Sequence, residues 1–282
     1  MIIKLAAYAD ESSETLEGQI EALKRNNIPY IEIRWIKGIN IVDYPLDEVK
    51  RFNELLEKNN IKVWSIGSQI GKVKLSSDLD KHLQDVTKAC EIAKIFHCDK
   101  VRMFSFYEAT DKNVVFKYLN KMVEIGNRYG IKMCHENEKG IYGDITPRVL
   151  EIYQNVPGLY NVYDPANYVQ CNQNMDDAMN ALANNSIYFH IKDAFKENGE
   201  VVPVGKGDGK VLELISRIDH DTVLTIEPHL KAFSGFSKGD QTTLKHIYKF
   251  NTNEEAFDFG VKSTKELLLK AGYKEINGGY QK

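Results

Sequence analysis

The sequence predicts a single (β/α)8 TIM barrel spanning residues 1–282. Three observations predict it. Short apolar runs of strand character alternate with longer amphipathic stretches. Eight such units follow one another with no compositional break to mark a linker. A length of 282 residues is near that of one such domain. A doubly wound open sheet is the structural alternative. It lacks its Gly-rich dinucleotide turn, because Ala9-Asp10-Glu11 follows the first strand.

The first strand is expected over 2–8 and its helix over about 13–26, with Ser12 and Ser13 as caps and Leu16, Ile20 and Leu23 on one face. A second strand over 30–35 precedes a helix with Pro45 at its first position. The third strand, 62–66, leads to a helix opened by a Ser77-x-x-Asp80 capping box. Strand four covers 100–104, and its helix over about 111–129 stops at Gly130. Strand five spans 131–136 and precedes a helix from Thr146-Pro147 to near Asn155. Strand six is 160–163, followed by a helix over about 174–184; strand seven is 186–191. A loop with Gly205, Gly207 and Gly209 precedes a short helix at 211–218, and strand eight is 222–226. After a long loop, the last helix runs from Thr252, with Glu255 as capping partner, to Ala271.

Hydrophobic residues make up 43% of the chain and charged residues 27%, ample for one core. A net charge of −3 gives no basic signature, so neither nucleic acid nor a membrane surface is an expected partner. The N-terminus lacks the apolar run of a signal sequence, and no stretch is apolar enough for a membrane span. Four cysteines without a CxxC pair fit reduced thiols in a cytoplasmic protein.

In a (β/α)8 barrel, function sits at the carboxyl ends of the strands. Strand five ends in His135-Glu136-Asn137-Glu138, strand six in Tyr163-Asp164-Pro165, strand seven in His190-Ile191-Lys192-Asp193 and strand eight in Glu227-Pro228-His229. Strand side chains alternate between the lumen and the helix layer. Leu224 and Ile226 suit the helix layer, which turns Thr225 and Glu227 inward; Ile187, Phe189 and Ile191 do the same for Tyr188, His190 and Lys192. Glu136 lies opposite Ile131, Met133 and His135, and Asp164 shares a face with Val162.

A carboxylate in a closed lumen is costly unless paired or bound to a cation. One such residue is only a polar strand end. Four on successive strands, in matching phase, read as a divalent metal site formed by Glu136, Asp164, His190 and Glu227. Three carboxylates and one imidazole make a hard set suited to Mn²⁺, Mg²⁺ or Co²⁺ and tolerant of Zn²⁺. His82, His97, His220 and His246 are expected at the surface, and His135 against the helices.

The motifs Glu136-Asn137, Asp164-Pro165-Ala166-Asn167, His190-Ile191-Lys192-Asp193, Pro203-Val204-Gly205-Lys206-Gly207 and Glu227-Pro228 together resemble the xylose isomerase-like superfamily of TIM barrels. The similarity runs from the 31–34 strand onward. It implies one metal held by Glu136, Asp164, His190 and Glu227, with Glu136 and Glu227 as the acid/base pair. Asn167 stands where the epimerases of this group commonly carry His. Strand ends three and four offer no His for the trinuclear zinc site of the related AP endonucleases, which disfavours DNA repair.

The expected function is therefore a metal-dependent isomerase or epimerase of a sugar, sugar phosphate or polyol, working through a metal-stabilised enediolate. An inosose-type dehydratase of the same fold is the alternative, and a non-catalytic sugar-binding barrel a weaker one. Lys192 is expected to bind a substrate oxygen or to pair with a carboxylate such as Asp193. Glu32 and Arg34 point inward as an ion pair, or Arg34 reaches substrate; Asn167 and His229 are further substrate-binding candidates. Trp35, Trp64, Phe104 and Phe106 form an apolar wall or pack in the core. The 205–209 glycines can cradle a phosphate or form a flexible loop. The resemblance also implies possible homo-oligomerisation, with the loop between Leu230 and Asn251 as an interface or lid.

Overall fold

The computed structural model describes residues 1–233 and 248–282. Eight parallel strands form the barrel: β1 (Ile2–Ala7), β2 (Tyr30–Ile33), β3 (Lys62–Gly67), β4 (Lys100–Met103), β5 (Lys132–Glu136), β6 (Tyr160–Tyr163), β7 (Ser186–Ile191) and β8 (Thr222–Ile226). They pair in chain order. The ring closes where β8 pairs with β1, from Ile3 opposite Thr222 to Ala7 opposite Ile226. Closure removes both sheet edges, and this excludes the open doubly wound sheet.

Around the ring lie α1 (Leu16–Arg25), α2 (Leu46–Lys58), α3 (Leu79–Ile95), α4 (Lys112–Tyr129), α5 (Thr146–Asn155), α6 (Pro165–Gln170), α7 (Met175–Leu182), α8 (Val211–Arg217) and α9 (Asn253–Lys270). The main apolar core fills the space between strands and helices. A smaller cluster of Ala6, Cys134, Val162, Tyr188 and Val223 fills part of the lumen, so its apolar residues alternate along the strands with those of the main core.

Several helix ends differ from expectation because a nearer side chain reaches the free amides. Thr15, not Ser12 or Ser13, caps α1 by accepting from Gly18 N. Asp78 caps α3 by accepting from Lys81 N, in place of the Ser77 box. Pro45 is the residue before the first turn of α2. Gly130 ends α4 with φ +68°, a left-handed cap that favours glycine. Thr252 caps α9 as expected, accepting from Glu255 N.

Short pieces lacked a readable period. They include the hairpins 35–40 and 193–202, helix α6, and a C-terminal hairpin of Lys274–Ile276 and Gly279–Gln281. The hairpin's last strand pairs antiparallel with the start of β1, opposite the functional end. All four cysteines are free. Among the described residues, no helix is long and apolar enough to cross a membrane. Much of the loop between Leu230 and Asn251, with His246, lies outside the described residues.

Candidate metal centre

Four neighbouring strands bring the acidic and imidazole side chains to one level. Glu136 is the last residue of β5, and His190 lies one residue before the end of β7. Glu227 follows β8 directly. Asp164 follows β6 and caps α6, its Oδ1 accepting from Asn167 N at 3.0 Å. Pro165 begins that helix without forfeiting an amide, so the Asp-Pro pair turns the chain sharply from strand to helix. Ligand atoms from Glu136, Asp164, His190 and Glu227 all lie within 4.8 Å of one another, and all four residues are buried.

His190 is gripped from both sides. Its Nδ1 faces the cluster, 2.9 Å from Glu136 Oε1 and 3.6 Å from Glu227 Oε2. Its Nε2 faces Glu32 Oε2 at 3.1 Å. Glu32 also accepts from Tyr8 OH at 2.9 Å, Tyr188 OH at 2.9 Å and Thr225 Oγ1 at 2.8 Å.

Three buried cations balance the acids. Lys192 Nζ lies 2.9 Å from Asp164 Oδ2 and 3.4 Å from Glu227 Oε2. Arg34 donates through Nη1 to Glu227 Oε1 at 2.7 Å and through Nε to Asp10 Oδ2 at 3.0 Å. Arg102 donates to Tyr8 OH at 2.9 and 3.1 Å, and its Nε lies 3.4 Å from Glu136 Oε2.

These surroundings set the ionisation of the acids. Burial pushes the Asp164 carboxyl up to about 7, against the pull of Lys192. For His190, burial disfavours the charge, but Glu136 and Glu32 outweigh it and push the imidazole up to about 10. Burial also opposes the charge on Glu227. There Lys192, His229 and Arg34 prevail and hold the carboxyl well below the usual range.

The donor set fits a divalent ion on its own geometry. Asp164 Oδ2 and His190 Nδ1 are buried without a hydrogen bond, although each has an opposite charge at ion-pair distance. Both atoms belong to the four-residue cluster. Three carboxylates and one ring nitrogen supply ligands appropriate to Mn²⁺, Mg²⁺, Co²⁺ or Zn²⁺. Glu11, Glu227 and His229 form a second close group. The Arg34 guanidinium already lies 2.7 Å from Glu227 and 3.5 Å from Glu11, so that corner carries its own cation.

The other sequence-predicted residues sort as follows. Asn167 reaches the centre, with Nδ2 3.4 Å from Glu136 Oε1 and donating to Asn137 O at 2.9 Å. His229 reaches it too, with Nε2 3.3 Å from Glu227 Oε1. Glu32 and Arg34 both point inward, but Glu32 pairs with His190 and Arg34 with Asp10, Glu11 and Glu227. Lys192 pairs with Asp164 and Glu227 rather than with Asp193.

Asp193 is otherwise engaged. Its carboxylate accepts from the amides of Ala194, Gly205, Gly207 and Gly209 at 2.8–3.0 Å. The glycine segment is thus neither a phosphate cradle nor a flexible loop: its own carboxylate fills the nest. A Cβ on Gly207 would come within 2.4 Å of Asp193 Oδ1, which explains the glycine.

Among the aromatics, Phe104 lies between Arg102 and Lys72, 4.5 and 4.3 Å from its ring. Trp64 packs lower in the lumen, edge-on to Tyr188. Trp35 and Phe106 are buried, with Phe106 in the main core. His135 faces the helices as expected, 3.0 Å from Ser105 Oγ. His97 is exposed and His220 partly so. His82 is instead largely buried, because its Nε2 accepts from Gly71 N at 2.9 Å.

Sequence reasoning missed Tyr8, Asp10, Glu11 and Arg102. Arg102 had a signal, since it alternates with Val101 and Met103 on β4. Asp10 and Glu11 stand just past β1, where the sequence signals only the lack of a glycine turn.

A family model described as xylose isomerase-like TIM barrel matches residues 20–247. No curated protein sequence matches the chain. Among solved structures, a D-allulose 3-epimerase from Methylomonas sp. in complex with D-allulose is 16% identical with a TM-score of 0.72, covering 94% of this chain and 97% of that one. The IolI protein with a bound zinc atom is 17% identical with a TM-score of 0.72, covering 95% and 99%. The probable 3-DHS dehydratase AsbF from Bacillus anthracis is 15% identical with a TM-score of 0.71, covering 94% and 99%. At these identities the structural likeness shows the fold.

Proposed function

Because the chain belongs to the xylose isomerase-like TIM barrel family, we propose that it is a divalent-metal-dependent isomerase or epimerase of a sugar, sugar phosphate or polyol. One observation carries the reading. Four strand ends bring Glu136, Asp164, His190 and Glu227 together, and two of the clustered atoms lack a hydrogen bond.

Glu136, Asp164, His190 and Glu227 would hold the ion. When bound, it supplies Lewis acidity toward a carbonyl and its neighbouring hydroxyl, which makes the adjacent carbon-bound hydrogen acidic. Glu136 and Glu227 enter the lumen from strands three positions apart in the ring. One carboxylate removes the proton and the other returns it. Return to the opposite face of the same carbon gives epimerisation, and return to the next carbon gives aldose–ketose isomerisation.

Lys192 lies between Asp164 and Glu227 and donates to a substrate oxygen as charge develops there. Asn167 and His229, beside Glu136 and Glu227, bind hydroxyls. Arg34 is held by Asp10 and aims the Glu227 carboxylate rather than taking substrate as its first partner.

Loss of a β-hydroxyl needs the same proton abstraction. The likeness to AsbF therefore supports a dehydratase as the second reading. Incubating metal-loaded protein with ketoses, their phosphates and keto-polyols in deuterated water tests the proposal. Carbon-bound deuterium in recovered or isomeric sugar supports the isomerase; a product short by one water supports the lyase. Neither change with any substrate, in protein shown to hold about one ion per chain, overturns both.

A further inference from the structure

We infer that Glu32 is a positioning residue that presents His190 Nδ1 to the metal centre, by fixing the ring proton on Nε2. The inference rests on the metal-site reading above and concerns a residue outside the four ligands.

The argument is a count of donors and acceptors. Arg102 donates twice to Tyr8 OH, so the phenol's acceptor sites are taken and its own proton is left to donate to Glu32. Thr225 Oγ1 and Tyr188 OH donate to the same carboxylate. An ionised carboxylate only accepts, so the fourth partner, His190 Nε2 at 3.1 Å, must also be a donor. With the Nε2 proton held by Glu32, Nδ1 is the ring nitrogen that would give up its proton to take a cation. That is the atom 2.9 Å from Glu136 and left without a hydrogen bond.

Glu32 comes from β2, opposite the ligand-bearing part of the ring, and is 1% exposed, so its charge serves the interior alone. Three hydroxyls from β1, β7 and β8 hold it in place, with Tyr8 one residue past the end of β1. A carboxylate behind a ligating imidazole orients the ring and raises its basicity; loss of such a partner lowers metal affinity about 10–100-fold.

The test is calorimetric titration of the full chain with Mn²⁺ alone, for wild type and Glu32→Gln, alongside thermal unfolding. A folded Glu32→Gln that binds Mn²⁺ about 10–100-fold more weakly supports the inference. A folded variant within twofold of wild type overturns it. No binding by wild type refutes the metal site itself, a different failure, and the inference with it. Should Glu32→Gln not fold, ¹⁵N NMR of the histidine rings in the Zn²⁺-loaded wild type decides the matter. A proton on Nε2 and a metal-shifted Nδ1 of His190 support it, and the reverse overturns it.

Discussion

Lys192 Nζ lies 2.9 Å from Asp164 Oδ2, so a buried ammonium stands beside a carboxylate of the proposed metal centre. It also lies 3.4 Å from Glu227 Oε2 and therefore faces two of the four clustered residues. Like charges compete at that distance. Lys192→Gln is expected to bind Mn²⁺ more tightly, by roughly tenfold, because one cation leaves a site that receives another. Turnover should fall about 100-fold, since the proposed donor to the developing oxyanion is gone. Calorimetry and kcat together check this. Weaker Mn²⁺ binding would show instead that Lys192 orders the carboxylates.

Glu136 and Glu227 differ from Asp164 and His190 in carrying a proposed proton-transfer role as well as a ligand role. Glutamine keeps one oxygen for the ion and removes the base. Glu136→Gln and Glu227→Gln should each lower kcat by about 10²–10⁴. Substrate affinity of the metal-loaded protein should change far less. Initial rates and direct ligand titration separate the two quantities. A pure sugar binder would lose metal affinity and nothing further.

The ring of strands and the gathering of Glu136, Asp164, His190 and Glu227 were legible because both depend on period. Leu, Ile and Phe at alternate positions fixed which face of β7 and β8 looks inward, and that placed Thr225, His190 and Glu227. The supporting network was less legible. Two residues apart on one face, Glu32 and Arg34 suggest an ion pair or an Arg34 that reaches substrate. In the closed barrel they sit at different heights, and each meets side chains from distant strands. Tyr8 and Arg102 contribute through the same three-dimensional closure. The Asp193 clamp was hidden because its partners are backbone amides, which carry no residue signature.

The clamp itself predicts a stability effect distinct from catalysis. Asp193, just past β7, holds the glycine segment through three of its amides and accepts a fourth from Ala194, two on each carboxylate oxygen. Asp193→Asn turns one of those acceptors into a donor that faces N–H groups. The expected loss is about 2–4 kcal/mol, because buried amides lose charged partners. Urea unfolding of the metal-free protein reads it. A change under about 0.5 kcal/mol would mean that water replaces the carboxylate without cost.

His135 predicts the direction of one pH effect. Burial alone lowers its imidazole from 6.5 to about 3, and its Nε2 lies 3.0 Å from Ser105 Oγ. The unfolded chain binds a proton below about 6.5 that the folded chain refuses until about 3. The stability that His135 contributes by staying neutral is thus fully present above pH 6.5 and is lost as pH falls from there toward 3. At pH 5 the loss from this group is about 2 kcal/mol relative to pH 8. His135→Gln removes the titration while retaining a polar side chain. Its stability at pH 8 should be lower than wild type, since the ring packs edge-on to Tyr153. Its decline from pH 8 to 5 should be shallower by the same amount, about 2 kcal/mol. Urea unfolding at the two pH values gives both numbers. Parallel declines would show that the ring protonates in the folded protein and that its pocket opens to water.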